Sequence, residues 1–322
     1  MKIFVTGGGG FLGSAVVSRL IAGGDEVLAL ARSEAAAGRI TRLGAVPLRG
    51  DITDAGMLGV AMAGVDAVFH IAGDYRVGIK ESEHEAMFRT NVDGTVTVLD
   101  AAVSASVGSI VYVSTVAVFG NTQAKVVDET YDRPDRDFLS YYDATKYMAH
   151  RVAVARVAAG APLVIVQPGA VYGPGDQSDL GAQVDRVARG KYRLRAFSEL
   201  GLTMSYIDDV ADGTVLAHRK GRPGESYVLG GEVARLGDVV DRVADLTGNK
   251  RARWKVPSPA FRVAEPFGSL AGRWTGAGPN LHEVVRASKG VTYWATSAKA
   301  ERELGYAPRS LDQGLRDLLA AR

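Results

Sequence analysis

The chain has no cysteine among its 322 residues. That excludes a disulfide framework, a thiol nucleophile and a cysteine-ligated metal, and it suits a reducing compartment. No apolar run approaches the roughly 18 residues that a membrane-spanning helix needs, so no membrane partner is expected. The first apolar strand starts at Lys2 and leaves no room for a signal peptide, which makes the cytoplasm the expected location. An excess of one charge is also lacking. The 38 basic and 36 acidic residues are interspersed, and without a basic stripe nucleic acid is not an expected partner. The five histidines, His70, His84, His150, His218 and His282, show neither HExxH nor paired-ligand spacing. No metal site is expected, and no GxSxG elbow marks a serine hydrolase.

Glycine is plentiful and unevenly placed. In "KIFVTGGGGFLGSAV", residues 2–16, an apolar strand runs into four consecutive glycines and then into residues at helical spacing. A strand, a glycine turn and a helix N-terminus form a phosphate cradle. The glycines read equally as GxGxxG (Gly8, Gly10, Gly13) or GxxGxxG (Gly7, Gly10, Gly13). In either register Gly10 admits a pyrophosphate and Gly13 lets helix and strand pack closely. The expected cofactor-binding set therefore starts with Gly7, Gly10, Phe11, Leu12 and Gly13.

Apolar strands at 2–6, 26–31, 46–49, 67–71, 109–114 and 163–167 alternate with helical stretches at 11–23, 54–63, 84–106 and 139–159. Such alternation predicts an α/β fold, a Rossmann-type doubly wound parallel sheet spanning residues 1–174. Residues 175–322 read as a smaller C-terminal α/β substrate-binding lobe. It carries irregular loops, a short strand at Tyr227–Leu229, and helices at 235–247, 259–272, 297–304 and 311–320. A return of the chain to the sheet within this part is compatible with the reading. No repeat or low-complexity linker separates the two lobes, so they are expected to pack together.

The end of the second strand, "EVLALARS", selects the dinucleotide. An acid there would hold the ribose 2′-hydroxyl of NAD, whereas an arginine accommodates the 2′-phosphate of NADP. Arg32 and Ser33 stand at that end, so NADPH is the preferred cofactor; the competing reading of Arg32 is a solvated surface charge. Asp51 and Ile52 follow the third strand and could flank the adenine, although Asp51 could equally cap the helix near Asp54.

"SYYDATKYMAH" places Tyr142 and Lys146 four residues apart on one helix face. A phenol of ordinary pKa about 10 is a poor acid–base group at neutral pH, and a neighbouring ammonium is expected to lower it. Aromatic residues Phe197, Tyr206, Trp254, Phe261, Phe267, Trp274, Tyr293 and Trp294 are candidate substrate walls or core.

Taken together, "TGGGGFLG" (6–13), "IAG" (71–73), Asn91 in "RTNVDGT", "VYVSTVAVFG" (111–120), Tyr142 with Lys146, "QPGAVYGPG" (167–175) and "YIDDVADG" (206–213) resemble the extended short-chain dehydrogenase/reductase family. The resemblance runs the whole chain and implies roles residue by residue. Thr115 would position the substrate oxygen, with Ser114 beside it touching cofactor or substrate. Tyr142 would exchange the proton, and Lys146 would bind the nicotinamide ribose while lowering the tyrosine pKa. Asn91 would hold the site geometry and a relay water. Ala72 and Gly73 would pass close to the cofactor, and Pro168, Gly169 and Val171 would line the nicotinamide pocket. Long helices at 84–106 and 139–159 are the surfaces through which this family commonly pairs, so a homodimer is expected.

Sugar-nucleotide epimerases and dehydratases of the family carry an arginine just before "YIDDVADG", where this chain has Leu202. The carbonyl-reducing branch, similar to dihydroflavonol reductases, fits "HIAGDYR" and "GRPGESYVLGG" better. The expected activity is NADPH-dependent reduction of a ketone or aldehyde, a small-molecule carbonyl substrate. The alternative is an NAD-dependent sugar-nucleotide epimerase or dehydratase.

Overall fold

Ile3, Phe4 and Val5 have no exposed surface, as a strand covered on both faces requires. Successive side chains of a strand point to opposite faces. Accordingly Ile3 and Val5 enter one core layer, with Val16, Val17, Leu20 and Val210, while Phe4 enters the other, with Leu58, Leu99 and Ala149. The computed structural model describes residues 1–134, 137–192, 194–195, 197–252, 254–255 and 280–322.

The first half supplies strands β1 (Lys2–Thr6), β2 (Glu26–Ala31), β3 (Val46–Arg49), β4 (Ala67–His70), β5 (Ser109–Val113) and β6 (Leu163–Pro168). Its helices are α1 (Phe11–Ala22), α2 (Glu34–Arg42), α3 (Ala55–Ala61), α4 (His84–Phe88), α5 (Gly94–Ser104) and α6 (Tyr141–Ala158). The second half adds β7 (Ala170–Tyr172), β8 (Leu194–Arg195), β9 (Gly201–Tyr206), β10 (Ser226–Leu229) and β11 (Val233–Arg235). It also adds α7 (Asp179–Ala188), α8 (Ile207–Lys220), α9 (Leu236–Leu246) and α10 (Leu281–Ser288).

A seven-stranded parallel sheet has the order β10-β6-β5-β4-β1-β2-β3. The chain winds outward from β1 to β3 and then returns to the other side of β1 at β4. Ligands bind beyond the carboxyl ends of the strands at such a reversal. A smaller sheet of β7, β9, β11 and Thr292–Tyr293 packs on α7, α9 and the helix Leu311–Ala320.

Several elements depart from the sequence reading. The strand at Tyr227–Leu229 is the edge strand β10 of the large sheet, so the chain does cross back. The segment between β2 and β3, for which the sequence reading names no element, forms the short and mostly polar helix α2; only its Ala37 and Ile40 are buried. β9 and α8 replace the irregular loops expected after residue 175. The helix expected at 84–106 is interrupted by a π-helical turn at Arg89–Asp93, and this turn carries Asn91 inward. The helix expected at 259–272 lies outside the described residues.

Gly13 shows how tightly the first turn is closed. A Cβ on Gly13 would lie 2.0 Å from the Gly7 carbonyl oxygen, a backbone atom that cannot step aside alone. Gly13→Ala is expected to lower the unfolding free energy by about 3 kcal/mol or more through this overpacking. Urea denaturation checks it, and a cost below about 1 kcal/mol would show that the turn adapts.

Candidate active site

The glycine turn adopts the 7/10/13 register. Gly7 has φ +73°, the left-handed region, and a Cβ there would meet the Ala72 nitrogen at 2.7 Å. Gly10 is the N-cap of α1, its N–H donates to Gly7 O at 2.9 Å, and no side chain caps the helix. Gly8 instead faces the core against Ala29 and Val17. An uncapped helix N-terminus behind a turn free of side chains fits a pyrophosphate, because its first N–H groups have no partner within the helix.

From this turn a continuous cavity of about 1940 Å³ crosses the carboxyl ends of the sheet. Gly7, Gly10, Phe11, Leu12 and Gly13 line it at the start, followed by Arg32, Ser33, Asp51 and Ile52. Ala72, Gly73, Ser114, Thr115, Tyr142, Lys146, Pro168, Gly169 and Val171 line its centre. Asn91 stands behind the wall.

At the end of β2, Arg32 is exposed and makes no hydrogen bond or ion pair among the described residues. The Ser33 hydroxyl caps α2 by accepting from Ala36 N at 3.2 Å. Arg39, which sequence reading does not single out, also lines the cavity and donates Nε–H to Gly9 O at 2.8 Å. Its sequence signal is its place on the helix that Ser33 opens. Asp51 is not a helix cap: its carboxylate accepts from Thr53 N at 3.0 Å and Thr53 Oγ1 at 2.8 Å, and Asp54 caps α3.

At the centre, α6 starts at Ser140, whose hydroxyl accepts from Asp143 N, and carries Tyr142 on its first turn. Asp143 points the other way into a buried ion pair with Arg133 at 2.9 Å. The Thr115 hydroxyl caps a short 3₁₀ turn by accepting from Ala117 N at 3.2 Å, and it stands near enough to the Tyr142 phenol to favour its ionised form. Lys146 is buried and donates to Val113 O at 3.2 Å and Tyr112 Oη at 3.5 Å. Ser114 shares a hydrogen bond of 3.0 Å with His150 Nδ1.

The protonation pattern corrects one expectation. Burial pushes the Tyr142 phenol above its ordinary value, only partly offset by the neighbouring Thr115 hydroxyl. Lys146 is itself pushed down to about 8 by burial. The reason is enclosure: burial penalises the charged form of each group, and the Lys146 ammonium donates to Val113 O and Tyr112 Oη.

Asn91 is fully engaged. Its Oδ1 accepts from Asp74 N at 2.7 Å, and its Nδ2 donates to Asp74 O and Thr145 Oγ1, both at 3.0 Å. It thus pins the loop after β4 to the helix that carries Tyr142. Of the aromatic candidates, Phe197 and Tyr293 line the cavity, as do Tyr75 and Tyr192, which sequence reading does not single out. Tyr206 is core, against Tyr172. Trp294 does not line the cavity, and Phe261, Phe267 and Trp274 lie outside the described residues.

A glycine turn at one end of the cavity and a tyrosine, threonine and lysine set at its centre define a nicotinamide-dinucleotide-dependent oxidoreductase. Residues 3–230 match the NAD dependent epimerase/dehydratase family, and the chain belongs to that family. It is 33% identical over 321 residues to a 4-hydroxy-2-methyl-3-oxo-4-farnesyl-3,4-dihydroquinoline-1-oxide ketoreductase from Stigmatella aurantiaca, covering 97% of this chain and 94% of that one. It is 31% identical over 338 residues to a 2-alkyl-3-oxoalkanoate reductase from Stenotrophomonas maltophilia, covering 100% and 99% of the two chains. Among solved structures, a double mutant of the dTDP-glucose 4,6-dehydratase DesIV from Streptomyces venezuelae, with NAD and DAU bound, superposes with a TM-score of 0.80. That pair is 28% identical over 100% of this chain and 96% of the other.

The buried ammonium of Lys146 costs stability. Its folded pKa of about 8 lies below the unfolded value of about 10.4, so the penalty is fully present below pH 8. Lys146→Met is expected to raise the unfolding free energy at pH 7 by about 1–3 kcal/mol. Between about pH 8 and 10 the unfolded lysine still holds a proton that the folded one has lost, so wild-type stability rises and the variant's advantage shrinks. Urea denaturation at pH 7 and pH 9.5 checks both the sign and the trend.

Proposed function

We propose that this protein reduces a ketone with NADPH, with Tyr142 as the proton donor. The observation that carries this reading is the meeting of Tyr142, Thr115 and Lys146 at the centre of the cavity that begins at the glycine turn. The cofactor, when bound, supplies the hydride for the carbonyl carbon.

The remaining chemistry falls to side chains of this chain. The Gly7, Gly10 and Gly13 turn and the open N-terminus of α1 would hold the pyrophosphate, and Arg32 would take the 2′-phosphate. Tyr142 gives its phenolic proton to the carbonyl oxygen as the alcohol forms. Burial keeps that phenol protonated at neutral pH, the state a donor needs. Thr115, beside the phenol, orients the same carbonyl oxygen. Lys146, an ammonium below about pH 8, would hold a ribose hydroxyl of the cofactor. Asn91 acts through position, by clamping Asp74 and Thr145.

The names of the two curated relatives, a ketoreductase and an oxoalkanoate reductase, support ketone reduction. Against the sugar-nucleotide alternative stands Leu202. This apolar residue of β9 lines the cavity where that branch carries the arginine that grips a diphosphate.

Tyr142→Phe removes the donor and keeps the ring. General acid catalysis is worth about 10²- to 10⁴-fold, so kcat for ketone reduction should fall at least 10²-fold with NADPH affinity unchanged. A steady-state rate within tenfold of wild type would remove Tyr142 from this role. Cofactor choice makes a separate expectation. A charge-assisted contact from Arg32 to the 2′-phosphate is worth about 1.5–3 kcal/mol, or roughly 10- to 150-fold in affinity. Arg32→Ala should therefore weaken NADPH alone, as fluorescence titration of NADPH and NADH would show. Equal weakening of both cofactors would make Arg32 a scaffold residue.

A further inference from the structure

Among the described residues, Tyr75 is the one aromatic among the large hydrophobic side chains that are exposed, at 64%, and it lies inside the cavity. Its ring meets Tyr142 edge to face, with centroids 4.9 Å apart and planes at 88°. Whatever packs on Tyr75 therefore lies beside the reacting phenol.

The exposure does not come from a loose loop, because the chain is held on both sides of Tyr75. Before it, Asn91 clamps both the N–H and the carbonyl of Asp74. After it, Arg76 donates two hydrogen bonds to the Asp74 carboxylate, at 2.8 and 2.6 Å, and one to Glu83 at 2.5 Å. Farther on, Gly78 O accepts from Asn280 N at 2.6 Å and Ile79 is buried. A ring fixed in place with its apolar surface uncovered binds a partner without a further ordering cost.

The surroundings narrow the partner's chemistry. Val77, Val284, Ala287 and Tyr293 line the same cavity. Asp179, at the start of α7, borders an opening together with Tyr75, Arg76, Lys80 and Glu83, so charges of both signs stand at its edge. Apolar walls edged by charges of both signs suit a neutral group, and an aromatic platform favours a stacked or edge-on ring.

We propose that Tyr75 is a specificity-determining platform that receives a neutral aromatic group of the substrate next to the carbonyl; this rests on the ketone-reductase reading. In steady-state assays the ratio of kcat/KM for 2-acetylnaphthalene to that for acetone should fall about tenfold in Tyr75→Ala and stay within about twofold in Tyr75→Phe. Equal losses on both ketones overturn the platform and leave Tyr75 as a support for Tyr142. Calorimetric binding of 2-acetylnaphthalene to the protein saturated with NADP⁺ reads the same contact without turnover. There the affinity should be about tenfold weaker for Tyr75→Ala and near wild type for Tyr75→Phe. No binding by wild type, or equal binding by wild type and Tyr75→Ala, overturns the platform. The tenfold binding loss without reduction of any ketone by wild type keeps the platform and overturns the reductase reading.

Discussion

The hydrogen bond between Thr6 and His70, 2.8 Å long and wholly buried, ties the ends of β1 and β4 together at the point where the sheet reverses direction. Its direction follows from counting partners. Thr6 Oγ1 already accepts from Ile71 N and Ala72 N at 3.2 Å each, so its proton goes to His70 Nδ1. His70 then carries its hydrogen on Nε2 and donates to Thr95 Oγ1 at 3.0 Å, and Thr95 donates to Asn91 O at 2.7 Å. Burial holds His70 down to about 3, so the ring is neutral and the tautomer is set by its neighbours. Leaving any of these buried groups unpaired would cost about 1–3 kcal/mol, so the network holds as a unit. At one end it supports the glycine turn; at the other it fixes Asn91, and through Asn91 the Tyr75 loop and α6.

The same rigidity explains an electrostatic arrangement that stability alone would not select. A buried ammonium whose acceptors among the described residues are a carbonyl and a phenol is poorly compensated, and Lys146 accordingly loses its proton more easily than a free lysine. Tyr142 is displaced in the opposite direction, toward holding its proton. Two groups on one helix face, one inclined to give up a proton and one inclined to keep it, form an acid–base pair tuned by environment. The arrangement persists because the sheet ends and α6 are anchored elsewhere, not least by the buried Arg133–Asp143 pair one residue from Tyr142.

Much of this was legible in the residues because it is local. A strand followed by glycines and a helix start is read directly, and the Tyr142–Lys146 spacing needs only helical geometry. The choice between Gly7 and Gly8 was not legible, because it depends on which glycine meets Ala72 from β4 and which meets Ala29 from β2. Asn91 was recognisable by family resemblance, yet its clamp on Asp74 and Thr145 depends on a π-helical turn that no periodicity announces. Tyr75, a tyrosine in a loop, carries no signal of its own, and the signal of Arg39 is only its place on the helix that Ser33 opens. The direction of the Tyr142 shift was also hidden, since spacing puts a lysine near a tyrosine without saying how deeply the phenol is buried.

The division of labour in the cavity follows from which elements build each part. The residues proposed to face the cofactor and the proton lie near the ends of parallel strands or on α6, held by the sheet. Those proposed to meet the substrate body come from the Asp74–Lys80 loop and α10. The smaller sheet is seated at Gly169, between β6 and β7, where a Cβ would fall 2.1 Å from Thr203 O of β9. Side chains on the outer segments can then vary without moving Tyr142, Thr115 or Lys146. Such a separation lets one sheet carry ketone reductases and sugar-nucleotide dehydratases alike, and it is why the proposed specificity is sought at Tyr75 and its neighbours.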